Sequence, residues 1–384
     1  MLDLKTMIKQ EINKDPSLFT ELVNVAEVSS NELDAYINKN NSSLLFGEIA
    51  NIIEYLFPEK DIEILEEYSK RIDVNKYDAR QALEYLFINM LPSRFDYLNK
   101  LKTSSDEENR EFAKIYELHY ENKNSLLKYI HLNDLHFNSQ TLYAFKCISE
   151  MYQHYHEHKI EMLLSMKEYV EFTINEYVHD KFLKKYYFLR FYSALSLTML
   201  FQNNVTECRR MANQVIDIKV RKSLKHKATM LQTIGMSYLF EDYKNGISYL
   251  YKAKELYDEI ADGNNGVIHS SINLHQIHWG EEPDDLKWES EEPFDKHDII
   301  YYFVKNNKIN EAKQLIESID ETRLSERDLA FHFFSKGLVD RNLDYMYKSI
   351  LQFKKVGNLF YIRLPLNELR KQGVNDLLIK TILT

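Results

Sequence analysis

The chain has 384 residues with 49 basic and 59 acidic side chains, a formal net charge of −10, 44% hydrophobic residues and 13% aromatic ones. That apolar content excludes a disordered chain, and the acid excess excludes nonspecific attraction of the whole molecule to nucleic acid or an anionic membrane. Two cysteines, Cys147 and Cys208, far apart and each inside an apolar run, exclude a disulfide framework and a thiolate metal centre.

Nine glycines and six prolines leave little punctuation for strands and tight turns, so helices are expected nearly throughout. Residues 1 to 57 read as four short helices: about 4–12, then 18–25 after the Asp15, Pro16, Ser17 start signal, then 31–37 capped by Ser29 and Ser30, then 44–57. Two short helices with a tight joint resemble a helix-turn-helix unit, whose second helix enters the major groove of DNA. Ser29, Ser30, Asn31, Asn38 and Lys39 are its candidate DNA contacts, with Asn40 and Asn41 beside them. Against this stands the charge of residues 1–60, five lysines to ten acids, a net −5, with Glu32 and Asp34 on the reading helix itself. A small helical cap explains the pattern equally well.

Pro58 and Glu59 close this first part, and the division expected is residues 1–58 and residues 59–384. Helices are then expected at 62–72, 79–90, 94–101, 108–120, 126–132, 141–156, 160–172, 181–201, 205–216, 224–240, 243–260, 267–279, 298–305 and 309–319, and near the end at 361–371 and 376–383. Residues 329–366 read as a helical hairpin and the start of another helix, turning at Asp340, Arg341 and Asn342. Such a hairpin cannot bury its apolar face alone and implies stacked neighbours, the logic of a tetratricopeptide superhelix with a concave binding surface. Gly235 and Gly337 stand 102 positions apart, three tetratricopeptide periods. Between them, 280–295 holds eight acids against Lys287 and two prolines, and reads as an exposed acidic loop, with a rim for a cationic partner as the alternative.

Chemistry is sought and not found: there is no glycine-rich phosphate loop, no H-E-x-x-H, no nucleophile elbow and no paired-cysteine motif, so neither enzyme nor cofactor is expected. His154 and His158 stand four apart as a candidate metal pair beside His156, with no further ligand at fixed spacing, so no metal is expected. The start MLDLKTMIKQEINKD is not a signal peptide and no run is long enough to span a membrane, so a cytoplasmic protein is expected.

Several segments, read in order, resemble the arbitrium receptor family of SPβ-type Bacillus phages: DARQALEYLFINM at 78–90, AKIYELHYE at 113–121, TIGMSYLFEDY at 233–243, FHFFSKG at 331–337, YKSILQFKKVGNLFYIRLPLNELRKQG at 347–373, and the paired Trp279 and Trp288. The resemblance implies an all-α chain with an N-terminal helix-turn-helix, a tetratricopeptide superhelix and a homodimer closed partly by its C-terminal helices. It implies a transcription regulator of the lysis–lysogeny decision whose DNA binding is altered by a short peptide held in the groove. The positions it implies for peptide capture are Lys225, Asp298, Asn358 and Phe360, with Thr198 and Gln202 as looser matches. The chain departs from the family pattern at three positions. Met236 and Arg327 stand where asparagines are expected, and Lys225 replaces an arginine and gives up planar bidentate geometry. Two other readings stay open: a divergent paralogue acting on a phage or host protein through its groove, and a Rap-like regulator promoting aspartyl phosphate hydrolysis, whose family begins with a different, three-helix bundle.

Overall fold

We analysed the protein as a computed structural model that describes residues 3–39, 42–120, 137, 139–218, 222–260 and 266–383. Among the described residues every regular element is a helix: α1 (Leu4–Lys14), α2 (Leu18–Ala26), α3 (Ser30–Asn38), α4 (Phe46–Leu56), α5 (Asp61–Ser69), α6 (Asp78–Ile88), α7 (Arg94–Leu101) and α8 (Glu107–Tyr120). After these come α9 (Gln140–His156), α10 (Ile160–Tyr177), α11 (Lys181–Phe201), α12 (Val205–Asp217), α13 (Leu224–Ser237), α14 (Tyr243–Asp258), α15 (Gly266–Trp279), α16 (Pro293–Lys305) and α17 (Ile309–Glu317). A 3-10 turn (Glu321–Arg323), α18 (Glu326–Asp340), α19 (Leu343–Lys355), α20 (Arg363–Lys371) and α21 (Asp376–Leu383) complete the chain. The all-α fold class thus holds. The helix expected at 126–132 lies outside the described residues.

The chain forms two compact units, one of Met1–Glu150 with Tyr169–Phe188 and Lys219–Ser223, the other of Met151–Glu168, Leu189–Ile218 and Leu224–Thr384. Residue 58 falls within the first unit, where α4 packs on α6, and a separate domain ending there stays a proposal. In this unit an aromatic spine fills the space between helices. The ring of Phe46 lies 5.4 Å from Tyr85 and 5.9 Å from Phe182, and Tyr116 stacks on Phe145 at 4.6 Å. Such offset and edge-on pairs add to the apolar burial of large rings.

The second unit is built from helical hairpins, in which α13 packs on α14, α16 on α17 and α18 on α19. Four helices of this unit, α12, α14, α18 and α19, start on a side chain that caps them. Asn204, Asp242, Ser325 and Asn342 accept the backbone N–H of Glu207, Asn245, Asp328 and Asp344. Gly235 and Gly337 occupy corresponding places: a Cβ on Gly235 would meet Leu250 of α14 at 2.7 Å, and one on Gly337 would meet Met346 of α19 at 2.9 Å. The turn expected at 340–342 forms, with Arg341 in the left-handed region at φ 50°.

Two expectations change. Pro293 opens α16 at its first helical position instead of closing the acidic loop, so this helix begins five residues earlier than expected at 298. His158 lies beyond the end of α9 with φ 58°, so His154 and His158 do not share a helical face. Among the described residues no helix is long and apolar enough to cross a membrane.

Candidate functional site

In the first unit α3 follows α2 after three residues and starts on a capping box: Glu32 N–H donates to Ser29 Oγ at 3.2 Å, and Ser29 N–H donates to the Glu32 carboxylate at 2.8 Å. Ser29 is thus engaged at the helix start. Asn38 Nδ2 donates to Asp34 at 2.8 Å, and its oxygen accepts from Lys9 Nζ at 2.9 Å. Ser30 and Asn31 are exposed in the first turn, next to Glu32 and Asp34. Lys5 reaches the carbonyls of Lys39 and Ser42 and lies over the Tyr36 ring. Lys5, Lys9 and Lys39 therefore gather at the C-terminal end of α3, a grouping that counting charges along the sequence does not reveal. Asn40 and Asn41 lie outside the described residues.

The second unit holds two adjoining cavities, of about 300 Å³ and 340 Å³, which share Met236, Ser271, Arg327 and Tyr361. One face of α13 lines the first: Lys225, Thr229, Gln232, Thr233 and Met236 recur at helical spacing. Its polar groups are cross-linked, Gln232 Nε2 donating to Ser271 Oγ at 2.8 Å while Tyr257 OH donates to Gln232 Oε1 at 3.1 Å. Tyr155, stacked on Phe201 at 5.8 Å, and Tyr361 supply rings, and burial pushes the Tyr361 hydroxyl up to about 12. The second cavity carries Lys287, Glu292 and Asp295 towards the acidic loop. That loop is largely tied down: Leu286 is buried, Trp288 lies 5.9 Å from Tyr302, Asp285 pairs with His269 at 3.0 Å, and Glu291 pairs with Lys296 of α16 at 2.6 Å.

Of the six positions nominated for a peptide, Lys225 alone lines a cavity, beside Met236 and Arg327, two of the departures from the family pattern. Asp298 is one side chain removed, buried and accepting from Ser270 Oγ at 2.7 Å, and burial pushes its carboxyl up to about 8. The remaining four sit elsewhere. Thr198 is buried and donates to the Ala194 carbonyl, Phe360 is buried against Phe240 at 5.1 Å, buried Asn358 accepts from Tyr361 N–H, and half-buried Gln202 faces the Gly357 carbonyl. Thr229, Gln232, Thr233 and Ser271 were missed, although the four-residue spacing from Lys225 along α13 carried a signal.

Burial pushes the Cys147 thiol up to about 12 and that of Cys208 up to about 11, far from a reactive thiolate. Among the described residues no group of histidines, cysteines and carboxylates is placed to hold a metal ion.

The chain is 24% identical to the AimR transcriptional regulator of Bacillus phage SPbeta over 99% of both chains, and 26% identical to that of Bacillus phage phi3T over 96% of this chain and 98% of the other. Its fold matches the solved structure of SeMet-phAimR with a TM-score of 0.77 at 24% identity over the whole of both chains, and a phAimR-Ligand structure with a TM-score of 0.74 at 24% identity over 87% of this chain and 99% of that one. The family model for AimR transcriptional regulator-like proteins matches residues 61–371. The chain belongs to the AimR transcriptional regulator-like family and is a phage regulator of the arbitrium type.

Proposed function

We propose that this protein binds DNA through the helix-turn-helix-like start of its chain and that a short peptide held by α13, α15 and α18 alters that binding. The observation that carries the reading is the pair of adjoining cavities with Lys225 and Arg327 on their walls. Concave sites of this size, mostly apolar with a few convergent polar groups, are what small ligands require. The relative described as a phAimR-Ligand structure supports a ligand in this fold. On the DNA side, Lys5, Lys9 and Lys39 offer a local basic grouping inside an acidic segment, and counterion release by such groups is the source of most affinity for the phosphate backbone. A homodimer belongs to the same proposal, since paired recognition helices read paired half-sites.

A second reading, action on a phage or host protein in place of DNA, draws on Glu32 and Asp34 at the exposed side of α3. Fluorescence anisotropy with labelled DNA from the regions flanking the protein's own gene, at low and physiological salt, separates the two. Saturable, sequence-specific binding that a hexapeptide changes is the expected result. Absence of specific binding even at low salt would overturn the DNA reading.

A further inference from the structure

Resting on the peptide-receptor reading above, we propose that the ligand of this groove carries a carboxylate that pairs with Arg327, so that Arg327 makes the site select a peptide carboxylate over the corresponding amide. The first cavity has two charged lining residues, Lys225 and Arg327, both cations, and no carboxylate among the residues that line it. Arg327 belongs to both cavities and so stands at the wall they share. Its surroundings are aromatic: the guanidinium carbon lies 5.7 Å from the ring centre of Phe201 and 5.9 Å from that of Phe294. Ring faces attract the cation but do not accept its in-plane N–H groups as a carboxylate does.

The Arg327 Nε is closed off from water and has no hydrogen-bond acceptor. A buried donor left unsatisfied is costly, and a planar guanidinium is matched by the two oxygens of one carboxylate. Arg327 sits in the first turn of α18 between Glu326, which pairs with Lys355, and Asp328, which accepts from Ser325 Oγ. The acids of the groove, Glu292 and Asp295, line the second cavity and not the first. Asp295 already accepts from Ser290 Oγ at 2.6 Å. An amide in place of the ligand's carboxylate loses a charge-assisted pair, an effect on the order of 10- to 100-fold in affinity.

The test is calorimetric titration of the full chain with hexapeptide sets that carry Asp or Asn at each position in turn, each with a free or an amidated C-terminus. An acid set is expected to bind about 10- to 100-fold more tightly than its amide counterpart. Arg327→Asn should bring that ratio close to one while the unliganded protein melts as before, and Arg327→Lys should keep part of it. Where Arg327→Asn itself melts early, Arg327→Gln takes its place. A preference that follows the Asp-for-Asn exchange assigns the carboxylate to a side chain, and one that follows amidation assigns it to the chain end. Peptides that bind without distinguishing acid from amide, or an unchanged preference in Arg327→Asn, would overturn this inference and leave the peptide-receptor reading standing. Failure of every set to bind would overturn both.

Discussion

The groove of the second unit and the four helices that open the first treat their polar side chains in opposite ways. At α3 two of the five groups nominated for DNA are already engaged: Ser29 completes a capping box with Glu32, and Asn38 is held between Asp34 and Lys9. Around the groove Lys225 and Arg327 line a cavity, and one nitrogen of Arg327 has no acceptor. The lesson is that a polar residue type at a plausible position says little until its local partners are known. A polar group that the fold leaves unsatisfied inside a cavity says much more.

Five substitutions sharpen this contrast. The largest effect is expected at Asp298, which the folded chain keeps protonated up to about pH 8 whereas an unperturbed aspartate releases its proton near 3.8. Between those values the folded state holds the extra proton, so stability falls as pH rises, at about 1.4 kcal/mol per pH unit where the slope is steepest. Asp298→Asn removes the slope, and the melting temperature of the wild type relative to this variant should drop between about pH 4 and about pH 8. A difference independent of pH would show that Asp298 is ionised in the fold. Next is Lys225→Ala, expected to weaken peptide binding by roughly 10- to 100-fold with little change in melting, as titration calorimetry would register.

Gly246→Ala tests the scaffold under the groove, because its Cβ would come within 2.3 Å of the His275 ring. Overpacking there is expected to cost about 1–3 kcal/mol in denaturant unfolding, in spite of the better helix propensity of alanine. In the opening helices Ser29→Ala should lose about 1 kcal/mol through the lost cap. If Ser29 acts only as a cap, DNA affinity measured well below the melting transition stays the same. Smallest is Asp34→Asn, within about 0.5 kcal/mol in stability. It should raise DNA affinity at low salt, and an unchanged anisotropy titration would take α3 away from the DNA surface.

The fold was legible to the extent that it depends on local pattern. Scarce glycine and proline announced helices, and Asp340, Arg341 and Asn342 marked a turn because the last of them is a good cap and the chain needed one left-handed residue. The start of α16 was misplaced since Pro293 is compatible with a loop and with a first helical position, and only packing decides between them. Site residues were harder. Lys225 and Arg327 came through the family resemblance, but Thr198, Asn358 and Phe360 are buried, Phe360 against Phe240 far off in sequence, and no local pattern contains such a contact. The lysine grouping at the end of α3 was hidden for the same reason: Lys5 and Lys9 reach it from another helix.

The most direct measurement is hydrogen–deuterium exchange of the full-length protein with and without the hexapeptide sets. Protection concentrated in residues 225–236, 268–274 and 326–331 is the result this account predicts, since those stretches line the two cavities. Protection confined to other helices, with these stretches unchanged, would contradict the placement of the ligand site.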